Sequence, residues 1–111
     1  MRLVAVVFAE DFSADLERLS FHTPVWLADT PANHTAAEIA WQRAIEWPHI
    51  SVTLFRPSDD WSALLHQIAL QEKSVDAIDV IGAPLANARA ALIEAGFGRV
   101  EETAQGFRAR R

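Results

Sequence analysis

A chain of 111 residues, half of them apolar, has the size of one domain and enough apolar side chains for a single core. Its 15 acidic and 10 basic side chains give a formal net charge of −5. That charge disfavours nucleic acid and anionic membranes as partners, because both require a basic surface. Cysteine is absent, which excludes disulfide bridges, thiolate zinc sites and cysteine nucleophiles.

The apolar run at residues 3–8 predicts a strand. A run without a polar member is buried on both faces, so this strand should be central in a sheet. The run is too short for a signal peptide and meets Glu10 and Asp11 directly. No stretch approaches the roughly 18–20 apolar residues of a membrane span. We therefore expect a cytoplasmic protein with no membrane contact.

Helices and strands alternate along the rest of the chain. A helix of at most two turns should follow the first strand, because His22-Thr23-Pro24 breaks it. The remaining predicted elements are a buried strand at 25–28, a helix from about 31 to 47, a half-buried strand at 50–55, a helix capped by residues 58–60, a strand at 76–81, a helix at 85–95 ending at Gly96, and strands at 99–103 and 107–110.

This order predicts a single α/β domain over residues 1–111, with crossover helices. The later strands are half polar, which favours a sheet with one partly covered face over a fully parallel, doubly wound one. We expect a mixed, mostly parallel sheet of five to six strands, about four helices and a C-terminal antiparallel hairpin. The basic cluster there should form a charged stripe on an edge strand, and it consists of Arg99, Arg108, Arg110 and Arg111.

The long helix after Thr30-Pro31 carries more apolar surface than one contact requires. Its polar stripe runs along Glu38 and Gln42, and Trp41 and Ile45 lie at the margin of that stripe. The apolar arc therefore exceeds the roughly 100° that a surface helix needs. A Trp-Ile pair rimmed by polar groups is typical of an interface, although another part of the same chain could cover it.

Acidic residues follow several predicted strands, and ligands of open α/β sheets bind beyond those strand ends. Hard cations such as Mg²⁺ bind to grouped carboxylates, here Glu10, Asp11, Asp29, Asp59 and Asp60. Helix capping explains the same residues, and we expect no metal and no cofactor. The acidic pair after the first strand resembles that of a receiver domain, but Arg56 stands where that family has its phosphorylated aspartate, so the family is rejected.

The loop from Asp29 to His34 is the candidate ligand site. Its members Asp29, Thr30, Asn33 and His34 stand at a helix start, where free amides bind a small anion and a histidine transfers protons. An ordinary capped helix start accounts for the same residue types. Phosphate-binding glycine loops and nucleophile elbows are absent from the sequence, so it predicts no catalytic residue.

Two functions remain open at this level. The first is association without catalysis, either as a homodimer or with another protein, through Trp41 and Ile45. The alternative is a small-ligand- or anion-binding domain, enzymatic or not, that uses the Asp29–His34 loop and the neighbouring carboxylates.

Overall fold

The computed structural model describes residues 2–111, which fold into one six-stranded sheet with four α-helices. The elements are β1 (Leu3–Val7), α1 (Ser13–His22), β2 (Val25–Ala28), α2 (Pro31–Glu46), β3 (Val52–Phe55), α3 (Trp61–Gln71), β4 (Ala77–Ile81), α4 (Arg89–Glu94), β5 (Arg99–Glu102) and β6 (Gly106–Arg110), with a short 3₁₀ turn at Leu85–Asn87. The predicted mixed, mostly parallel α/β sheet is confirmed. Within residues 2–111 no helix is long and apolar enough to cross a membrane.

The strand order is β3-β2-β1-β4-β6-β5, so β1 is central. The first four strands are parallel, while β6 runs antiparallel to β4 and forms the predicted hairpin with β5. Strand β1 pairs with β2 on one side and with β4 on the other. Both of its neighbours are needed because its buried backbone groups must all be hydrogen-bonded.

Two cores lie on opposite faces of the sheet. Val4 and Val6 of β1 enter the core under α3 and α4, whereas Ala5 and Val7 enter the core under α1 and α2. This alternation follows from the period of two in a strand. On the α1 side, β4 and β6 carry the ion pair of Asp79 and Arg108, at 3.1 Å, which agrees with the half-polar pattern of these strands.

Two helix predictions were wrong in their extent. Helix α1 has ten residues and runs to His22, beyond the two turns expected. Pro24 restricts only the residue before it, and Thr23 is extended (φ −146°, ψ 136°), so the helix continues up to that point. The helix expected at 85–95 is divided at Ala88 into the 3₁₀ turn and α4. Gly96 ends α4 with φ +94°, as predicted.

Candidate functional site

At the carboxyl edge of the sheet, the segments that follow the neighbouring strands β1 and β4 contact each other. Phe8 donates its N–H to the carbonyl of Ile81 at 2.8 Å, and Gly82 donates to Gln105 at 2.9 Å. Gly82 has φ +86°, and a Cβ there would lie 3.0 Å from the amide nitrogen of Ala9. These contacts hold the segments after β1 and β4 together at the edge where open α/β sheets bind ligands. Grooves of about 420 and 460 Å³ lie between α1 and α2 and between α3 and α4.

Two of the acidic residues at this edge, Asp11 and Asp60, accept hydrogen bonds at helix starts. An Asp11 carboxylate oxygen accepts hydrogen bonds from the N–H, at 3.0 Å, and the hydroxyl of Ser13 at the start of α1. Asp60 accepts from the N–H of Ala63, at 3.0 Å, at the start of α3. Nowhere in residues 2–111 do three or more His, Asp or Glu side chains come close enough to hold a metal ion. Asp60 is therefore confirmed as the cap of α3, whereas α1 begins at an N-cap, Phe12, that has no side-chain hydrogen bond, and Asp11 lies one residue before it.

Asp11 gives the start of α1 a pH dependence. The hydrogen bonds from the Ser13 hydroxyl and N–H lower the pKa of Asp11 below its usual 3.8. A lowered folded-state pKa stabilises the fold above the unfolded-state value, and this stabilisation is lost as the pH falls through the folded-state pKa. We expect Asp11→Asn to lower the melting temperature slightly at neutral pH, with a difference from wild type that shrinks from about pH 5 towards pH 2. Thermal melts followed by circular dichroism check this, and a pH-independent difference would contradict it.

Asn33 holds three segments of the chain together. Its side chain is fully buried, and Oδ1 accepts a hydrogen bond from the N–H of Phe12 at 2.7 Å. Nδ2 donates to the carbonyls of Ala9 at 2.8 Å and Ala28 at 3.0 Å. Asn33 thereby ties α2 to the ends of β1 and β2 and to the start of α1. Of the four residues predicted for the ligand site, this one is separated from solvent.

The other three residues of the predicted ligand site lie at the surface. Thr30 caps α2: its hydroxyl accepts from the N–H of Asn33, at 3.2 Å, and donates to the carbonyl of Glu10. His34 stands between two carboxylates, with Nδ1 3.5 Å from Asp29 and Nε2 3.0 Å from Glu38. Both ring nitrogens of His34 therefore face carboxylates. Glu38 was missed as a member of this group because the sequence places it in a solvent-facing stripe.

Trp41 and Ile45 continue the same side of α2. The indole N–H of Trp41 donates to the carbonyl of Val52 in β3 at 2.8 Å, and the Trp41 ring meets the His34 ring edge-on at 6.4 Å. Trp41 is 42% exposed and Ile45 84% exposed. The structure thus brings the predicted interface pair and the predicted ligand loop onto one flank of α2, beside the open edge of β3.

A second apolar cluster lies at the other end of the α1–α2 layer. The Phe21 ring meets His49 at 4.8 Å and Trp47 at 5.7 Å, both nearly edge-on. Trp47 lies just beyond the end of α2, and its side chain is 47% exposed. Sequence periodicity missed this cluster, since Phe21 falls outside the short helix that was expected.

The fold and the α2 flank define a small α/β domain with exposed apolar side chains on one side of a helix. Comparisons with models of protein families, with curated proteins and with solved structures found no match to the chain.

Proposed function

We propose that the protein is an association module that forms a homodimer through the β3-side flank of α2, and that it performs no catalysis. Its central contact is the edge patch, which we define as Trp41 and Ile45. Support comes from the distribution of exposed apolar side chains. Five of the seven large ones within residues 2–111 lie on α1, on α2 or directly after α2, namely Phe21, Ile39, Trp41, Ile45 and Trp47. Exposed apolar side chains concentrated on one layer of a domain are typical of interfaces.

Trp41 has the properties of an interface anchor. Its indole is held by the hydrogen bond to the Val52 carbonyl, so little side-chain freedom is lost when a partner packs against its exposed ring. Tryptophan is enriched among the residues that dominate binding energy. Ile45 lies one turn further along the helix and extends the same surface.

A homodimer would place the same patch of both chains in contact, so that each substitution acts twice. We therefore expect Ile45→Ser to weaken dimerisation about thirtyfold or more, from the loss of roughly 1 kcal/mol or more of apolar burial in each chain. Because Ile45 is 84% exposed within one chain, the substitution should leave the stability of the folded monomer unchanged. Light scattering and sedimentation over low to high micromolar concentrations check the mass.

Leu70→Ser is the matched control, because Leu70 is 72% exposed and lies on α3, under the opposite face of the sheet. It should dimerise like wild type. A wild-type protein that is monomeric at high micromolar concentration would overturn the proposal. So would an Ile45→Ser variant that keeps its mass.

Small-ligand binding at Asp29, Thr30 and His34 is the second candidate. The observation that favours it is the exposed group of Asp29, His34 and Glu38, whose side chains are each about half exposed. With Asn33 buried, the residues of the predicted site that a small ligand could reach are Asp29, Thr30 and His34.

A further inference from the structure

The two edges of the sheet are protected in different ways. Strand β5 forms one edge and carries Arg99, Glu101 and Glu102, whose charges discourage pairing with another chain. Strand β3 forms the other edge and contains no charged side chain. An uncharged, largely apolar edge strand is a template to which a further strand can add. The β3 edge therefore depends on another form of protection.

The outward-facing backbone groups of β3 belong to two residues. The carbonyls of Ser51 and Phe55 accept hydrogen bonds from β2 and from the residue that follows it, at 2.9 and 2.8 Å. Backbone groups alternate in direction along a strand, so odd-numbered residues face β2 while Val52 and Leu54 face outward. A strand that adds along β3 has to bond to these outward groups.

The indole of Trp41 occupies one of these outward positions. Its N–H donates to the Val52 carbonyl at 2.8 Å, which is where the N–H of an added strand would lie. The ring reaches this carbonyl from α2, which packs over Val52 in one of the two cores. A second copy that pairs Val52 with its own Val52 or with its own Leu54 needs the same carbonyl. The indole therefore blocks both registers.

The residues on either side of β3 carry other forms of edge protection. Arg56 places a charge directly after the strand, and Pro57 has no N–H to offer. Before the strand, Pro48 also lacks an N–H, and the N–H of Ile50 already donates to the carbonyl of Trp47 at 3.0 Å. The middle of the edge has the indole instead.

We propose that Trp41 blocks the addition of a second copy's β3 to the β3 edge, as an autoinhibitory contact built into the fold. Two modes of association are thereby separated. Contact through α2 leaves the indole in place, whereas strand pairing requires its removal. The inference goes beyond the proposed homodimer and applies equally to a monomer.

Removal of the ring tests this role, in the Ile45→Ser background so that the edge patch does not contribute. Adding Trp41→Ala should convert this protein from monomer to dimer as its concentration rises, measured by sedimentation. Trp47→Ala is the matched control, because Trp47 is similarly exposed, at 47%, and its indole has no hydrogen bond in residues 2–111. It should leave the mass unchanged.

Amide exchange measured by NMR identifies the contact. The Leu54 N–H has no partner in residues 2–111, so it should be unprotected while Trp41 is present. Without Trp41 it should become protected as the concentration rises, whereas the Thr53 N–H, which faces β2, should be protected in both proteins. Adding Thr53→Lys should restore the monomer, because pairing of Val52 with Leu54 sets the two copies of residue 53 opposite each other and like charges there repel.

Two results would overturn the proposal. The first is a Trp41→Ala protein that keeps the mass and the Leu54 exchange of its parent. The second is association that leaves Leu54 unprotected, because the copies then meet elsewhere or through unfolded chains. If Trp41→Ala does not melt cooperatively, Trp41→Phe takes its place, since it keeps a ring and removes the N–H. The homodimer is decided separately by the mass of wild type.

Discussion

Val6→Asp is expected to leave no cooperatively folded protein. Val6 is fully buried, and its Cα partners are Trp26 in β2 and Val80 in β4, so a carboxylate there would lie between two strands and under the α3–α4 core. A buried unpaired charge costs several kcal/mol, against a total stability of about 5–15 kcal/mol for a domain. We expect insoluble protein, or soluble protein without a thermal transition in circular dichroism.

Ile93→Asp is the control for this substitution, because it also places a carboxylate at an apolar position but on the exposed side of α4 (59% exposed). It should be soluble and should melt within about 1 kcal/mol of wild type. A soluble Val6→Asp variant with a cooperative melt would contradict the central position of β1 and the two-sided burial of the sheet.

Asn33→Leu should produce the second-largest loss of stability. The substitution preserves most of the side-chain volume but leaves the N–H of Phe12 and the carbonyls of Ala9 and Ala28 without their partner. Each unsatisfied buried group costs about 1–3 kcal/mol, so the loss is roughly 3 kcal/mol or more. Chemical denaturation should measure it, with the melting temperature lowered by roughly 10 °C or more.

Two further variants test whether the loss of stability comes from the hydrogen bonds of Asn33. Asn87→Leu, at an exposed position without a side-chain hydrogen bond in residues 2–111, should be nearly neutral. Asn33→Asp keeps the acceptor for Phe12 but aims a second carboxylate oxygen at two carbonyls, so it should be more destabilising at neutral than at acidic pH. An Asn33→Leu variant whose free energy of unfolding lies within about 1 kcal/mol of that of wild type would show that the hydrogen bonds of Asn33 are not needed for stability.

Periodicity and end signals were sufficient to predict the fold class. The apolar run of β1, the Thr30-Pro31 start of α2 and Gly96 at the end of α4 are local signals, and each was confirmed. The length predicted for α1 was too short because Pro24 restricts only Thr23, the residue directly before it, and the helix continues up to that point. Strand order requires long-range pairing, which no local pattern contains.

The side-chain partners at the site could not be predicted for a related reason. Asn33 and Trp41 both bind backbone groups of distant segments, and backbone groups have no sequence signature. Residue type alone suggested a ligand for Asn33 and an interface for Trp41. His34 and Glu38 stand four residues apart in α2, so their pairing follows from helical spacing alone.

The position of β1 between β2 and β4 also has a consequence for synthesis of the chain on the ribosome. Leu3 pairs with Ala77, 74 positions later. At about 5–20 residues per second, translation needs roughly 4 to 15 s to supply that partner strand. During this interval one edge of an apolar strand remains unpaired and available to neighbouring nascent chains. The yield of folded protein should therefore depend on translation rate and on chaperone capacity more than its final stability would suggest.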